Sequence, residues 1–169
     1  TATAGDLDLT SIGTAGKLTA KVDYDRKGSW LTSKASVLLS EFELGLITGD
    51  ARLGIVDASA EGRVTLDSKS LKTANADAHI RRFDYNGYSF SGIRISADID
   101  KESKTEINVS VDDPGAKLNL YGFYNADDAS SLEATATFNR IDLKRIKLTD
   151  RHEGMLLSGT VLADVRDFD

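Results

Sequence analysis

The two histidines are the residues best suited to proton transfer or metal binding, and their positions favour neither. His79 and His152 lie far apart in the chain, and no HExxH pattern surrounds either of them. His79 alternates with the apolar side of a strand pattern, so we interpret it as a solvent-facing strand residue. His152 belongs to a charged stretch that is typical of a loop. No Ser-His-Asp set, GxSxG elbow, Walker loop or GxGxxG motif is present, and we expect a protein that is not an enzyme.

Clustered aspartates could indicate calcium, but their spacing is that of turns. They show neither the EF-hand pattern nor a glycine-aspartate nonapeptide repeat. The chain has no cysteine, which excludes disulfides and thiolate zinc sites. We therefore expect no metal and no cofactor. The aspartates concerned are Asp112, Asp113, Asp127, Asp128, Asp164, Asp167 and Asp169.

Composition narrows the class of protein further. A net charge of -6 and a pI of about 5.0 argue against binding of nucleic acid through its phosphates. With 40% hydrophobic residues the chain has enough apolar side chains to fold. No apolar run approaches the ~20 residues of a membrane helix. The first residue is Thr1 and no signal-peptide pattern follows it, so we interpret the chain as a mature product or a fragment.

The dominant pattern is an alternation of apolar and polar residues with period two. It begins with Leu18, Ala20, Val22 and Tyr24, and it recurs along most of the chain. This pattern predicts an all-β protein of ten to twelve strands, each with one apolar and one polar face. Such faces are typical of antiparallel or solenoid sheets rather than of a doubly covered parallel sheet.

Turn signals separate the predicted strands. Asn86-Gly87 is the strongest of them, because a type I′ hairpin turn needs positive φ at both central residues. Asp113-Pro114-Gly115 also predicts a tight turn, and further turns are expected at 25–29, 49–50, 67–70, 100–104 and 125–128. The alternation breaks at 42–46 and at 141–146, which are the best places for a short helix.

Four aromatic residues flank the Asn86-Gly87 turn at two-residue spacing. They are Phe83, Tyr85, Tyr88 and Phe90. One interpretation is a binding platform. We favour the other, in which they form cross-strand aromatic pairs that stabilise a hairpin.

The chain repeats one unit after about 100 residues. Leu18 matches Leu118, and the later matches include Tyr24 with Tyr124 and Ile47 with Ile146. The period is too long for leucine-rich or hexapeptide repeats. We expect residues 1–169 to form a single elongated β-module with an internal repeat of about 5–100 and 105–169, in which each copy covers its neighbour's open end.

The apolar side of the predicted strands is rich in small aliphatic residues and poor in aromatic ones. Ordinary sandwich packing is one explanation. The other is an open groove or tube, because small side chains leave room for a ligand. The residues expected to line such a groove are Leu18, Ala20, Val22, Val37, Leu39, Ala76, Ala78, Ile80, Ile93, Ile95, Ile99, Ile107, Val109, Val111, Leu118, Leu120, Ala134, Ala136 and Phe138.

Three segments together resemble one protein family. They are INVSVDDPGAKLNLYGFYN (107–125), RRFDYNGYSFSGIRISADID (81–100) and FNRIDLKRIKLTD (138–150). Each is similar to a segment of the large bacterial TamB-type proteins, which belong with the AsmA-like bridge proteins, and especially to Bacteroidetes-type members. The segments occur in the same order in that family, and they cover about 40% of the chain.

The resemblance implies a fold, a location and partners. It implies an elongated, incompletely closed β-taco or β-solenoid with a hydrophobic interior. The full-length protein would be anchored in the inner membrane of a Gram-negative bacterium by a helix outside this chain, and would extend across the periplasm. It would shield lipid acyl chains, or aid outer-membrane protein assembly, with phospholipid or another amphipathic ligand and an outer-membrane barrel protein as partners. It implies no catalytic residue.

Two other functions remain possible from the sequence. A protein-interaction scaffold would offer a sheet edge to client strands by β-augmentation. An outer-membrane barrel would also show alternating segments, but the chain lacks aromatic girdles at both strand ends and has many alanines on its apolar side.

Overall fold

A computed structural model describes residues 2–68, 70–100, 104–125, 131–150 and 154–166. It contains eleven strands and one helix of five residues, α1 (Leu44–Thr48). The strands are β1 (Ala2–Gly13), β2 (Gly16–Lys27), β3 (Trp30–Glu43), β4 (Leu53–Asp67), β5 (Ser70–Tyr85), β6 (Tyr88–Phe90), β7 (Ile93–Ile99), β8 (Lys104–Asp113), β9 (Ala116–Asn125), β10 (Ser131–Asp142) and β11 (Leu156–Arg166).

All eleven strands belong to one sheet, and every pairing in it is antiparallel. Strands follow one another in chain order from β1 to β11, except that the short β6 pairs only with β5. The sheet is not closed, since β1 and β11 are its two edges. The prediction of an all-β chain with ten to twelve strands is confirmed.

The register gives the sheet two chemically different faces, because successive side chains of a strand point to opposite sides. What we call the apolar face includes every residue predicted to line a groove. A central row of this face runs through Leu9, Ala20, Val37, Ala60, Ala78, Ile95, Val109, Leu120, Ala136 and Val161. The opposite, polar face has a row formed by Thr19, Leu38, Ser59, His79, Arg94, Ser110, Asn119 and Thr137.

The described strands form a single layer. Substantial contacts between elements are confined to neighbours in the sheet and to α1 with β4. Among the described residues, only Val56, Ala116 and Ile146 are buried apolar side chains. The sandwich alternative is therefore not formed within the described chain, and nothing there covers the apolar face.

Local predictions were largely confirmed. Asn86 and Gly87 have φ of 50° and 75° and join Tyr85 to Tyr88, as a type I′ hairpin requires. The expected helix at 42–46 is the single turn α1, which begins two residues later, at Leu44. Residues 143–147 form turns rather than a helix. Most of the turns expected at 100–104 and 125–128, together with His152 and the aspartates at 127, 128, 167 and 169, lie outside the described residues.

One end of the sheet is irregular, and the few buried apolar side chains of the described residues lie there. Register shifts occur there between Leu39 and Phe42 and between Phe138 and Ile141. Such bulges bend a strand and increase its local twist. We call the cluster at this end the aromatic corner: the β5–β6 hairpin together with residues 113–116 and 142–147.

Candidate functional site

The apolar face is the first candidate surface. It is continuous from β2 to β10, because the register places aliphatic side chains opposite each other strand after strand. Most of these side chains are half-buried, covered only by their neighbours in the same sheet, and Ile107 is exposed. The face therefore presents apolar surface to whatever lies against it.

A shallow depression of about 260 Å³ lies on the apolar face. Its centre is formed by the cross-strand neighbours Ala35, Gly62, Ala76 and Ala97, where side chains are small or absent. Gly62 lies close to β5, since a Cβ there would meet the Asn75 carbonyl oxygen at 3.0 Å. Of the predicted groove residues, Ala76 and Ile99 line this depression.

A larger concavity of about 940 Å³ lies against the polar face. It is lined by residues of eight strands, from β2 to β10, and we call it the polar concavity. On β2 and β10 it touches only polar-face positions: Thr19 and Lys21 on β2, and Thr135 and Thr137 on β10. Sequence reasoning did not predict it, because the curvature of a sheet is not encoded in the alternation.

Five of the predicted groove residues line the polar concavity only because their part of the strand forms its floor, and not through side chains that point into it. They are flanked in the lining by both of their chain neighbours, whose side chains point to the polar face while their own point to the apolar face. The larger concavity thus lies on the face opposite to the predicted aliphatic lining. The five residues are Val37, Ala78, Ile95, Val109 and Leu120.

The polar concavity is lined by charged and polar side chains. His79 is half-buried between its cross-strand neighbours Ser59 and Arg94. No hydrogen bond joins it to a carboxylate or a hydroxyl in the described chain. No group of three or more potential metal-ligating side chains occurs among the described residues.

The aromatic corner is held by a buried carboxylate. Asp113 is only 1% exposed, and it accepts hydrogen bonds from the Tyr88 hydroxyl, the Gly115 amide (2.7 Å), the Ser91 amide (2.9 Å) and the Ser91 hydroxyl (3.0 Å). Burial disfavours the charge on Asp113, but these donors outweigh it and lower the pKa of the carboxyl. Burial and the bond to Asp113 raise the pKa of the Tyr88 hydroxyl.

The hairpin tip in this corner also contacts the turn that follows β10. The Asn86 side-chain amide donates to the Lys147 carbonyl oxygen at 2.9 Å, and the Lys147 ammonium donates to the Gly87 carbonyl oxygen. Phe83 and Phe90 face each other across the hairpin with ring centroids 6.3 Å apart. Phe83 and Phe90 therefore form a cross-strand aromatic pair, as favoured from the sequence, and Tyr88 makes an edge contact at 4.8 Å with Phe90 on its own strand.

The two sheet edges are long and lie open in the described chain. β1 pairs only with β2, and β11 pairs only with β10. Exposed apolar side chains occur on both edges, among them Leu7 and Ile12 on β1 and Val161 and Leu162 on β11. Natural edge strands are usually short, bulged or charged, because open backbone groups can pair with other chains.

Comparisons with known proteins add no relative. No family model matches the chain, and no curated protein or solved structure matches it significantly. Of the described residues, none belongs to a helix long and apolar enough to span a membrane.

Proposed function

We propose that this chain is a periplasmic segment of a TamB-like protein, and that its apolar face shields lipid acyl chains in transit between the inner and outer membranes. The observation that carries the proposal is the apolar face itself, continuous over the strands from β2 to β10 and uncovered in the described chain. An uncovered aliphatic face of this extent is unusual on a soluble monomer and commonly marks a ligand or partner surface.

The energetic argument concerns both the face and the lipid. Each methylene group of an acyl chain that leaves water for an apolar surface gains about 0.8 kcal/mol. The aliphatic side chains of the face lose contact with water in the same step, and they add to this gain. A fatty acyl chain and the face would therefore stabilise each other without any specific polar contact.

The residue types favour a mobile ligand over a fixed one. Alanine, valine, leucine and isoleucine offer no hydrogen-bonding side chain that could hold a head group in one place. The depression around Gly62 and Ala76 leaves space for part of an acyl chain. In the proposal, further strands would continue the face beyond this chain and give the incompletely closed β-taco of the family.

The polar concavity is not the proposed lipid site. It contains Lys21, Glu61, Asp77 and Arg94, and burying such charges against hydrocarbon would be costly. The proposal therefore places lipid on the face opposite to the larger concavity, and this choice of face can be tested directly.

Native mass spectrometry of the purified chain, after incubation with phosphatidylethanolamine in mild detergent, tests the proposal. The variant Ile95→Asp with Val109→Asp places two charges at a cross-strand pair on the apolar face. It should lose the retained lipid. The matched control is Ser96→Asp with Ser110→Asp on the same two strands, and it should keep the lipid. Circular dichroism checks that both variants fold, and a wild-type chain that retains no lipid would refute the proposal.

A second candidate is a scaffold that offers strands to an outer-membrane barrel protein by β-augmentation. The open edges β1 and β11 favour it. Photo-crosslinkers at Leu7 and Val161, with the central Val109 as the control, should then capture an unfolded barrel protein from the edges only. Equal capture from the central position would argue against strand addition.

A further inference from the structure

Two corners of the sheet are built alike. What we call the first corner contains the β1–β2 turn and α1, and the second corner is the aromatic corner defined above. The Glu43 amide donates to the Ala15 carbonyl oxygen at 2.8 Å, and the Asp142 amide donates to the Gly115 carbonyl oxygen at 2.8 Å. In both corners a register shift precedes the bond and a turn follows it: the single helical turn α1 in the first corner and the turns of residues 143–147 in the second. The two corners are therefore structural counterparts, separated by about 100 residues.

The counterparts differ in what covers them. Ile146 in the second corner is 3% exposed, whereas its counterpart Ile47 on α1 is 60% exposed. The second corner is covered by the β5–β6 hairpin, since a Cβ on Gly115 would meet the Tyr88 hydroxyl at 2.6 Å and the Ile146 side chain at 2.8 Å. No described residue takes that place over Ile47.

The neighbouring edge shows the same difference. β7 follows the hairpin directly and pairs with β8, so that 93–99 lie opposite 105–111. In the first corner β1 is the counterpart of β8. Ala15 lies in the turn between β1 and β2, just as Gly115 lies in the turn between β8 and β9, and each accepts the corresponding backbone hydrogen bond. The outer side of β1 has no partner strand in the described chain. Residues 5–11 are thus the counterpart of the residues that β7 covers.

We infer that α1 and the outer edge of β1 form a docking site for a β-hairpin with an apolar tip that leads into an antiparallel strand. The partner segment would have the pattern of residues 83–99, with its tip over Ile47 and Leu46 and its strand opposite residues 5–11. Leu46 is 59% exposed, and it adds to the apolar surface that such a tip would cover. The inference narrows the scaffold candidate to one edge, and it does not depend on lipid binding.

The residues of the first corner also indicate which aromatic side chain the partner hairpin should have at the position of Tyr88. Gly13 stands where the second corner has Asp113, so no carboxylate is present to accept a bond from a phenol hydroxyl. Ala15 replaces Gly115, and its Cβ would occupy the space that the Tyr88 hydroxyl takes in the second corner. A tip with phenylalanine in place of tyrosine avoids both an unpaired hydroxyl and the steric conflict.

A second copy of this chain does not supply such a tip. Its own hairpin is engaged, with Tyr88 bound to Asp113 and Asn86 bound to Lys147. The partner segment is therefore expected on a different module.

Binding of a synthetic peptide of residues 83–99 to the full chain tests the inference. The peptide should carry Tyr88→Phe, and its effect on the amide spectrum of the isotope-labelled chain should be saturable and confined to residues 5–11, α1 and their immediate neighbours. The unmodified Tyr88 peptide should bind at least severalfold more weakly. The variant Ile47→Asp in the chain should weaken binding about tenfold or more, and because Ile47 is exposed this variant should fold normally.

The matched control is Leu148→Asp, which places the same charge beside the second corner, where Leu148 is 58% exposed. It should leave binding unchanged. Three results would overturn the inference: no saturable change with the phenylalanine peptide, changes confined to β11, or equal binding by the Ile47→Asp and wild-type chains. Self-association of the chain through Ile47, seen by analytical ultracentrifugation, would also contradict the partner assigned here.

Discussion

The hydroxyl of Tyr88 donates a hydrogen bond of 2.5 Å to Oδ1 of Asp113. This bond joins the tip of the β5–β6 hairpin to the turn between β8 and β9. Asp113 accepts three further bonds there, from Gly115 and from the amide and hydroxyl of Ser91. In a single-layer sheet with few buried side chains, this carboxylate adds a buried hydrogen-bond network to the small apolar core at that end.

Replacing Asp113 with asparagine should lower the free energy of unfolding by about 3 kcal/mol, because a buried amide group would then face donors that have lost a charged acceptor. Urea denaturation at pH 7 measures the loss. Asp112→Asn is the matched control. Asp112 is exposed and pairs with Lys117 at 2.8 Å, so solvent screens the pair and its replacement should change the free energy of unfolding far less. Equal effects of the two changes would contradict the role given to Asp113.

The stabilisation by Asp113 should depend on pH in a defined direction. The folded state lowers the pKa of this carboxyl below its ordinary value of 3.8. Its contribution is therefore complete above about pH 5, where the unfolded carboxyl is also ionised, and is lost as the pH falls through the unfolded-state and then the folded-state pKa. The difference in unfolding free energy between wild type and Asp113→Asn should stay constant from pH 7 to pH 5 and shrink toward pH 3. A difference that grows on acidification would contradict this account.

Removing the hydroxyl of Tyr88 should destabilise the chain by about 1–2 kcal/mol, since Asp113 would lose one of its donors. Thermal unfolding of Tyr88→Phe measures the effect. Tyr121→Phe provides the control, because Tyr121 is exposed on the polar face and makes no side-chain hydrogen bond in the described chain. Tyr121→Phe should leave the melting temperature unchanged, and a comparable drop for both variants would argue against the bond.

Gly16 should not tolerate a side chain. Its φ is +103°, and a Cβ there would meet the Glu41 carbonyl oxygen at 2.3 Å. Gly16→Ala should therefore cost about 2 kcal/mol or more, through backbone strain and displacement of the β3 end. In the same hairpin Gly13→Ala meets no atom within 4 Å and should change stability little. Urea denaturation of the two variants compares them, and tolerance of alanine at Gly16 would show that this corner is not closely packed.

The alternation in the sequence was sufficient to predict the strands and their faces. The prediction succeeds because each strand of a meander pairs with the strands next to it in sequence. The local pattern of a strand therefore also determines which face of the sheet its side chains occupy. The type I′ turn at Asn86-Gly87 was predictable for the same reason, since its backbone requirement is local.

Three features could not be predicted from the pattern. The sequence did not show that the sheet is a single layer, because the alternation predicts which residues share a face but not what covers that face. The polar concavity depends on the curvature of the sheet, and the alternation predicts neither that curvature nor the bulges after Leu39 and Phe138. The role of Asp113 was hidden because an aspartate before Pro-Gly is explained by the turn alone. Its burial depends on Tyr88, 25 residues away.

Face-resolved crosslinking to lipid tests the central claim most directly. Benzoylphenylalanine would be placed at Ala78 or Val109 on the apolar face and at their chain neighbours Asp77 or Asn108 on the polar face. The chain would then be irradiated with radiolabelled phospholipid. The account predicts lipid adducts from Ala78 and Val109 and almost none from Asp77 and Asn108. Adducts of equal yield on both faces, or adducts mainly from the polar concavity, would contradict it.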